Sequence, residues 1–146
     1  MSERVTYRMA DLDDIDLLRE TEDQLFDNEI KLTCAEEFFN DPRHHMALAL
    51  VQEKVIAMAS AFHYIHPDKE AMLFINEVAV LEEFQNKGVA RNLVSFLCQY
   101  GASIGLKEAW IATHVNNTAA RIAFAAAGGR EDKDLAVIFN YDLRNN

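Results

Sequence analysis

Two stretches of this sequence hold residues whose types and spacing can do chemistry. In the first, Glu77 stands within Met72 to Val80, a run otherwise nearly continuous in apolar residues. A carboxylate among apolar neighbours holds its proton more tightly than in water, which moves its pKa toward that of a useful general base. On the period of two of a strand it would share a face with Ile75 and Ala79. The bland alternative is a carboxylate at the rim of a sheet, paired with an arginine or lysine.

The second stretch is Gln85-Asn86-Lys87-Gly88-Val89-Ala90, followed by Arg91. It places a glycine and then a small residue where an apolar run hands over to an amphipathic one. The first amides of a helix have no internal acceptor and together carry about half a positive charge, and glycine lets an anion approach the backbone. Lys87 and Arg91 add positive charge, so this loop can cradle a phosphate. Taken alone, a single glycine in a strand-to-helix turn more often marks a tight turn before a capped helix. Neither the dinucleotide-binding pattern of three glycines nor the nucleoside-triphosphate pattern ending in Gly-Lys-Ser/Thr is present, so another phosphate-bearing cofactor is required.

The elements that must position these residues can be read from periodicity. Val5 to Arg8 alternates as a short strand does, and Asp11 can cap a helix carrying Leu12, Ile15, Leu18 and Leu25 on one face. Thr33 to Glu36 has capping-box spacing for a second helix reaching Phe39. Met46 to Val51 and Val55 to Tyr64 form a hairpin across Gln52-Glu53-Lys54, and Met72 to Val80 is a central strand. Val89 to Ile104 is the best amphipathic helix, stopped at Gly105. Ala109 to Thr113 is the next strand, Asn117 opens an alanine-rich helix ending at Gly128-Gly129, and Leu135 to Leu143 is expected as a closing strand. The class is mixed α/β around one sheet, with parallel pairing at each strand-helix-strand crossover.

Composition narrows the partners. At 146 residues, with 50% hydrophobic and 26% charged residues, the chain suits one globular domain, residues 1–146. It shows neither a signal-peptide segment nor a membrane-length apolar run, and its two cysteines, Cys34 and Cys98, lie far apart, so a reduced, cytosolic protein is expected. The net charge of −10 argues against nucleic acid or anionic membrane and favours a cationic partner, unless it serves solubility alone. Its acidic surplus gathers between Asp11 and Glu29, either as a docking face for a polycation or as a solvated helix face. His44, His45, His63 and His66 lack a third ligand at metal spacing, and no metal is expected.

Gln85, Gly88 and Ala90, in their strand-loop-helix setting, resemble the Gln/Arg-x-x-Gly-x-Gly/Ala signature of the GNAT superfamily of N-acetyltransferases. Asn117, Ala120, Arg121 and Phe124 through Gly128 resemble its second landmark, and the element order agrees over almost the whole chain. The resemblance implies a mostly antiparallel mixed sheet with a splayed central parallel pair, flanked by about four helices. It implies acetyl-CoA as cofactor, with its pantetheine arm on the backbone of Val78, Ala79 and Val80. The pyrophosphate would lie on the amides of Gln85, Asn86, Lys87, Gly88, Val89 and Ala90, near Arg91, with Asn117 touching the cofactor from beyond the next strand. It also supports Glu77 as the base that frees an amine to attack the thioester.

One departure concerns the tyrosine with which family members often protonate the leaving thiolate: here the position is Phe124, which the resemblance implies as a cofactor contact but which has no proton to give. Tyr141 and His114 are substitutes to consider, and a cofactor-binding module of little activity is the rival reading. Asn117 to Arg121, Gly128 to Asp132 and Phe139 to Asp142 look most similar to the aminoglycoside 3-N-acetyltransferase subgroup, which would bring Glu131, Asp132 and Asp142 near a small cationic amine. The resemblance also makes a homodimer plausible.

Overall fold

A computed structural model describes residues 3–144. Five strands, β1 (Thr6–Met9), β2 (His44–Val51), β3 (Lys54–His63), β4 (Leu73–Val80) and β5 (Ala109–Ile111), form one sheet in the order β1-β2-β3-β4-β5. The first four pair antiparallel, while β4 and β5 are parallel. Five helices flank the sheet: α1 (Ile15–Arg19), α2 (Glu22–Leu25), α3 (Leu32–Asn40), α4 (Val89–Ser103) and α5 (Thr118–Ala126).

The core lies on β2 and β3, where almost every residue is buried, so both faces of the sheet are covered there. The pairing sets Ala47 against Ala59 and Ala49 against Ala57, giving one face of small side chains to which a helix can come close. Leu48 faces Met58 on the other side, and both are fully buried. The α4 helix contributes Val89, Leu93, Val94 and Leu97 to the same core and lies across β2, β3 and β4. Its Gly101 fits against Leu73 so tightly that an added methyl would sit 3.1 Å from that side chain.

The N-terminal acidic helix differs from expectation. Asp11 does cap it, accepting from the Asp13 amide, while the Asp14 carboxylate takes the Asp11 amide and a bidentate Arg8 at 2.8 and 2.7 Å. The Arg8 bonds hold the Asp14 carboxyl below its usual range despite its burial. Beyond this start the helix breaks into a 3-10 turn, α1 and α2, separated at Glu20 and Thr21, whose amides bond three residues back. A continuous helix would set Asp16 beside Glu20 and Glu20 beside Asp23, like charges three or four apart. Ile15, Leu18 and Leu25 still reach the core, but Leu12 stays largely exposed.

Other boundaries shift as well. The α3 helix begins at Leu32 with Lys31 as its uncapped N-terminal residue, so Thr33 lies inside the first turn and the expected capping box is absent. The hairpin turn is two residues rather than three: Gln52 and Glu53 both have positive φ, and Lys54 already pairs with Val51. In β4, Ile75 faces Ala61 whereas Glu77 faces Ser60, so Asn76 is a bulged residue. Finally, Leu135 to Leu143 joins no strand ladder among the described residues, and the second parallel crossover does not form within this chain. Its alternating apolar residues find no partner strand in their own molecule and stand in solvent.

Candidate active site

The parallel pair β4 and β5 stays together for only three residue pairs, the last being Ile75 with Ile111. The bulge at Asn76 follows at once, and a bulge bends and twists its strand. From Glu77 to Val80, β4 keeps β3 as its neighbour but has lost β5, so a slot opens beside Val78, Ala79 and Val80. Backbone groups on that side have no strand to pair with, and apart from the Val80 carbonyl, which accepts the Gln85 side-chain amide, they are available to an extended ligand. The slot matches the splay implied by the sequence resemblance.

The slot runs into the loop before α4. Leu81 is buried and donates its amide to Ile56, which anchors the loop's start, and a 3-10 turn over Glu82–Phe84 follows. The Gln85 side-chain amide donates to the Val80 carbonyl at 3.0 Å, tying the loop back to the strand end. Asn86 and Gly88 both have positive φ, a tight turn that delivers Val89 into the core as the first residue of α4. No acidic residue stands in the first turn of α4, and Gly88, its N-terminal cap residue, has no side chain to cap it, so the helix amides face outward without a built-in anion. Arg91 folds back over Gly88, 3.3 Å from where a methyl would stand, and Lys87 lies over the Phe84 ring at 5.6 Å. Among the described residues neither cation is paired with a carboxylate. A doubly charged pyrophosphate fits such a cradle by charge and by the space that glycine leaves.

Glu77 sits two residues beyond the last β4–β5 pair, half-buried at the mouth of the slot. Its pKa is raised, first by burial and then by the charge of Asp27. The direction agrees with the sequence reading, but the neighbours do not. Because Ser60 and Ala61 point to opposite faces of β3, their partners Glu77 and Ile75 do too, so the bulge separates Glu77 from the buried Ile75 face while Ala79 stays with it. Asp27 was not singled out in the sequence, where only the acidic run around it was visible. The loop after α2 that carries Asp27 is held by Glu22, which accepts the Ile30 amide at 3.0 Å.

Beyond β5, Asn117 caps α5 by accepting the Ala120 amide at 3.1 Å, which engages its side-chain oxygen and leaves only its NH2 group for a ligand. Phe124 packs against the core, and its carbonyl takes the Gly129 amide at 3.0 Å. His114 is exposed, and Tyr141 lies on the unpaired C-terminal segment. Of the acidic residues considered for the acceptor, Glu131 is bound bidentately by Arg121 at 2.7 and 3.0 Å, Asp142 is bound by Arg144, and Asp132 is exposed. Among the described residues no group of three or more His, Cys, Asp or Glu is gathered to hold a metal ion. Among the described residues no helix is long and apolar enough to cross a membrane.

A parallel pair that splays beside a glycine-started helix, with a half-buried carboxylate at the parting, is the arrangement that the sequence resemblance implied. The model of the acetyltransferase (GNAT) family matches residues 8–128, and the chain belongs to this family. It is thus an N-acetyltransferase dependent on acetyl-CoA. No curated protein matches it in sequence. Solved structures do match in shape. An aminoglycoside N-acetyltransferase, AAC(6')-Iy, in complex with CoA is 22% identical with a TM-score of 0.80, over 98% of this chain and 97% of that one. An aminoglycoside acetyltransferase from an uncultured soil metagenomic sample is 16% identical with a TM-score of 0.83, over 96% and 97%. A putative acetyltransferase from Agrobacterium tumefaciens is 17% identical with a TM-score of 0.77, over 92% and 99%. At these identities the likeness establishes the shared fold. The position named for AAC(6')-Iy is 6′, whereas the sequence motifs look like the 3-N subgroup.

Proposed function

We propose that residues 1–146 form one cytosolic N-acetyltransferase domain that transfers the acetyl group of acetyl-CoA to a primary amine of a small cationic acceptor, within a ternary complex. The observation that carries this reading is the parting of β4 from β5 at Ile75, two residues before a carboxylate of raised pKa. When bound, acetyl-CoA supplies a thioester carbonyl that an amine can attack. Val78, Ala79 and Val80 hold the extended arm by backbone bonds, and the amides of Gln85 to Ala90, with Lys87 and Arg91, hold the pyrophosphate. Asn117 contributes its NH2 group. Glu77 takes a proton from the acceptor's ammonium, directly or through a water, and its charge together with that of Asp27 attracts the cation. The thiol leaves with a proton from solvent, since Phe124 offers none.

Support for a cationic acceptor comes from the net charge of −10, from Asp27 beside Glu77, and from the aminoglycoside enzymes among proteins of the same fold. Glu131, Asp132 and Asp142 stay as acceptor contacts, although Glu131 and Asp142 are each held by an arginine. Phe124 favours a second reading, a binding module with little turnover. Free-thiol release measured across aminoglycosides, polyamines, amino acids and basic peptides separates the two. Turnover with one amine class that collapses in Glu77→Gln supports the enzyme, whereas cofactor binding without thiol release from any amine sinks it.

A further inference from the structure

Ser60 is the one polar side chain between Val55 and Ala61, a run of β3 in which every residue is buried. A hydroxyl in such a place is ordinarily hydrogen-bonded, because burying it unpaired is costly. The Ser60 hydroxyl bonds to no protein group among the described residues. Nor is it sealed in: the enclosed side-chain atoms without a partner are Thr21 Oγ1 and His44 Nδ1, so Ser60 Oγ keeps an opening. The register says where the opening lies. On its face of the sheet Ser60 stands between Met46 of β2 and Glu77 of β4, and between Met58 and Phe62 along β3. Met46 and Met58 are buried, so the opening is toward Glu77 and Phe62, both only half-buried. The Glu77 carboxylate likewise has no hydrogen bond or ion pair among the described residues, and the charged group that bears on it is Asp27, from the loop after α2.

We propose that Ser60 is a positioning residue of the transfer: its hydroxyl holds the water through which Glu77 takes the proton of the acceptor's ammonium. The inference rests on the reading of Glu77 as the base, and it fixes the route that this reading left open between direct and water-carried transfer. Residues directly opposite in an antiparallel pair have Cβ atoms about 5 Å apart, which leaves room for one water to bond both side chains. Such a water needs at least two polar partners, and here it has Ser60 Oγ, the Glu77 carboxylate and the ammonium. The water passes one proton to Glu77 as it takes one from the ammonium, giving a neutral carboxyl, a neutral amine and water again. Ser60 neither gains nor loses a proton, and a hydroxyl that can donate or accept suits a water whose hydrogens change in the step. The bulge at Asn76 is what makes the pair. In a regular ladder Asn76 would face Ser60, and Glu77 would fall opposite Ala59 on the other face.

The test is thiol release at saturating acetyl-CoA, with the fastest acceptor among aminoglycosides, polyamines, amino acids and basic peptides, read beside carbon-13 NMR titration of the Glu77 carboxyl in the full chain. Ser60→Ala extends the alanines on either side, Ala59 and Ala61, and should leave the far-ultraviolet circular dichroism and the KM for acetyl-CoA unchanged. It should lower kcat about tenfold, the worth of one hydrogen bond in the transition state. It should also raise the Glu77 pKa further, by removing a bond that favours the charged form, and move the acid limb of the rate up in pH with it. In a Glu77→Gln background the same substitution should change kcat by less than about twofold, because the two residues act as one unit. If Ser60→Ala leaves kcat and the limb in place while Glu77→Gln collapses turnover, the relay is overturned and the base stands. A loss that repeats in full in the Glu77→Gln background overturns the relay equally. If Glu77→Gln changes neither turnover nor the limb, or if no amine releases thiol, the reading of Glu77 falls first and the relay falls with it.

Discussion

On the proposed assignment of Glu77 as the base, its setting gives the reaction a pH signature. Burial and Asp27 both disfavour its charged form, so its pKa lies above the usual carboxylate value. A base works only when deprotonated. The rate should therefore fall as the pH drops through that raised pKa, with the acid limb above the range of a free carboxylate. Glu77→Gln should lower kcat by roughly a hundredfold or more and flatten the limb, measured as thiol release at saturating acetyl-CoA. An unchanged limb would mean that another group takes the proton. Asp27→Asn removes the lesser cause of the shift and should move the limb down in pH while leaving most of kcat.

At the level of elements, the loop and the hairpin make opposite use of positive φ. Gly88 holds φ of +81° with Arg91 folded over it, a place where a side chain is both strained and crowded. Gly88→Ala should cost about 1–2 kcal/mol, lower Tm by several degrees and weaken acetyl-CoA binding about tenfold by pushing Arg91 aside, which calorimetry can read. Gln52 and Glu53 adopt φ of +48° and +66° without being glycine. Replacing the pair by Asn-Gly, the residues such a turn favours, should raise Tm by about 3 °C with kcat unchanged. The loop and α4 were legible in the sequence because Gly88 and the spacing of Val89, Leu93 and Leu97 are local signals. The α5 helix was legible for the same reason, with Asn117 at its start. The break between α1 and α2 was not, since periodicity sees the apolar face of Ile15, Leu18 and Leu25 but not repulsion along the other face. The bulge at Asn76 was invisible too: it is a matter of which β3 residue each β4 residue meets, and one strand's sequence does not state its register.

For the molecule as a whole, acid stability should carry the mark of one buried histidine, His45. His45 stacks on His63 with ring centres 5.0 Å apart and nitrogens 2.9 Å apart, and Tyr100 closes over it edge-on. Burial, then the neighbouring His63, lowers the His45 pKa from 6.5 to about 4. Between those values the unfolded chain binds a proton that the folded chain refuses, so this stability is whole above pH 6.5 and drains away as the pH falls toward 4. Melting curves across that window should slope more steeply for the wild type than for His45→Phe. The closing strand expected at Leu135 to Leu143 belongs to this scale as well. Its alternating pattern was readable, but a ladder also needs a neighbouring strand in register, which the pattern of one segment does not state. The parting of β4 from β5 at Ile75 has a last consequence. A gap inside a sheet is sticky, because any extended peptide can lie in it and bond to the bared backbone of Val78 to Val80. On the proposed reading the acetyl donor covers these groups, so light scattering should show slower aggregation with the donor than without it, while the net charge of −10 opposes association in both cases.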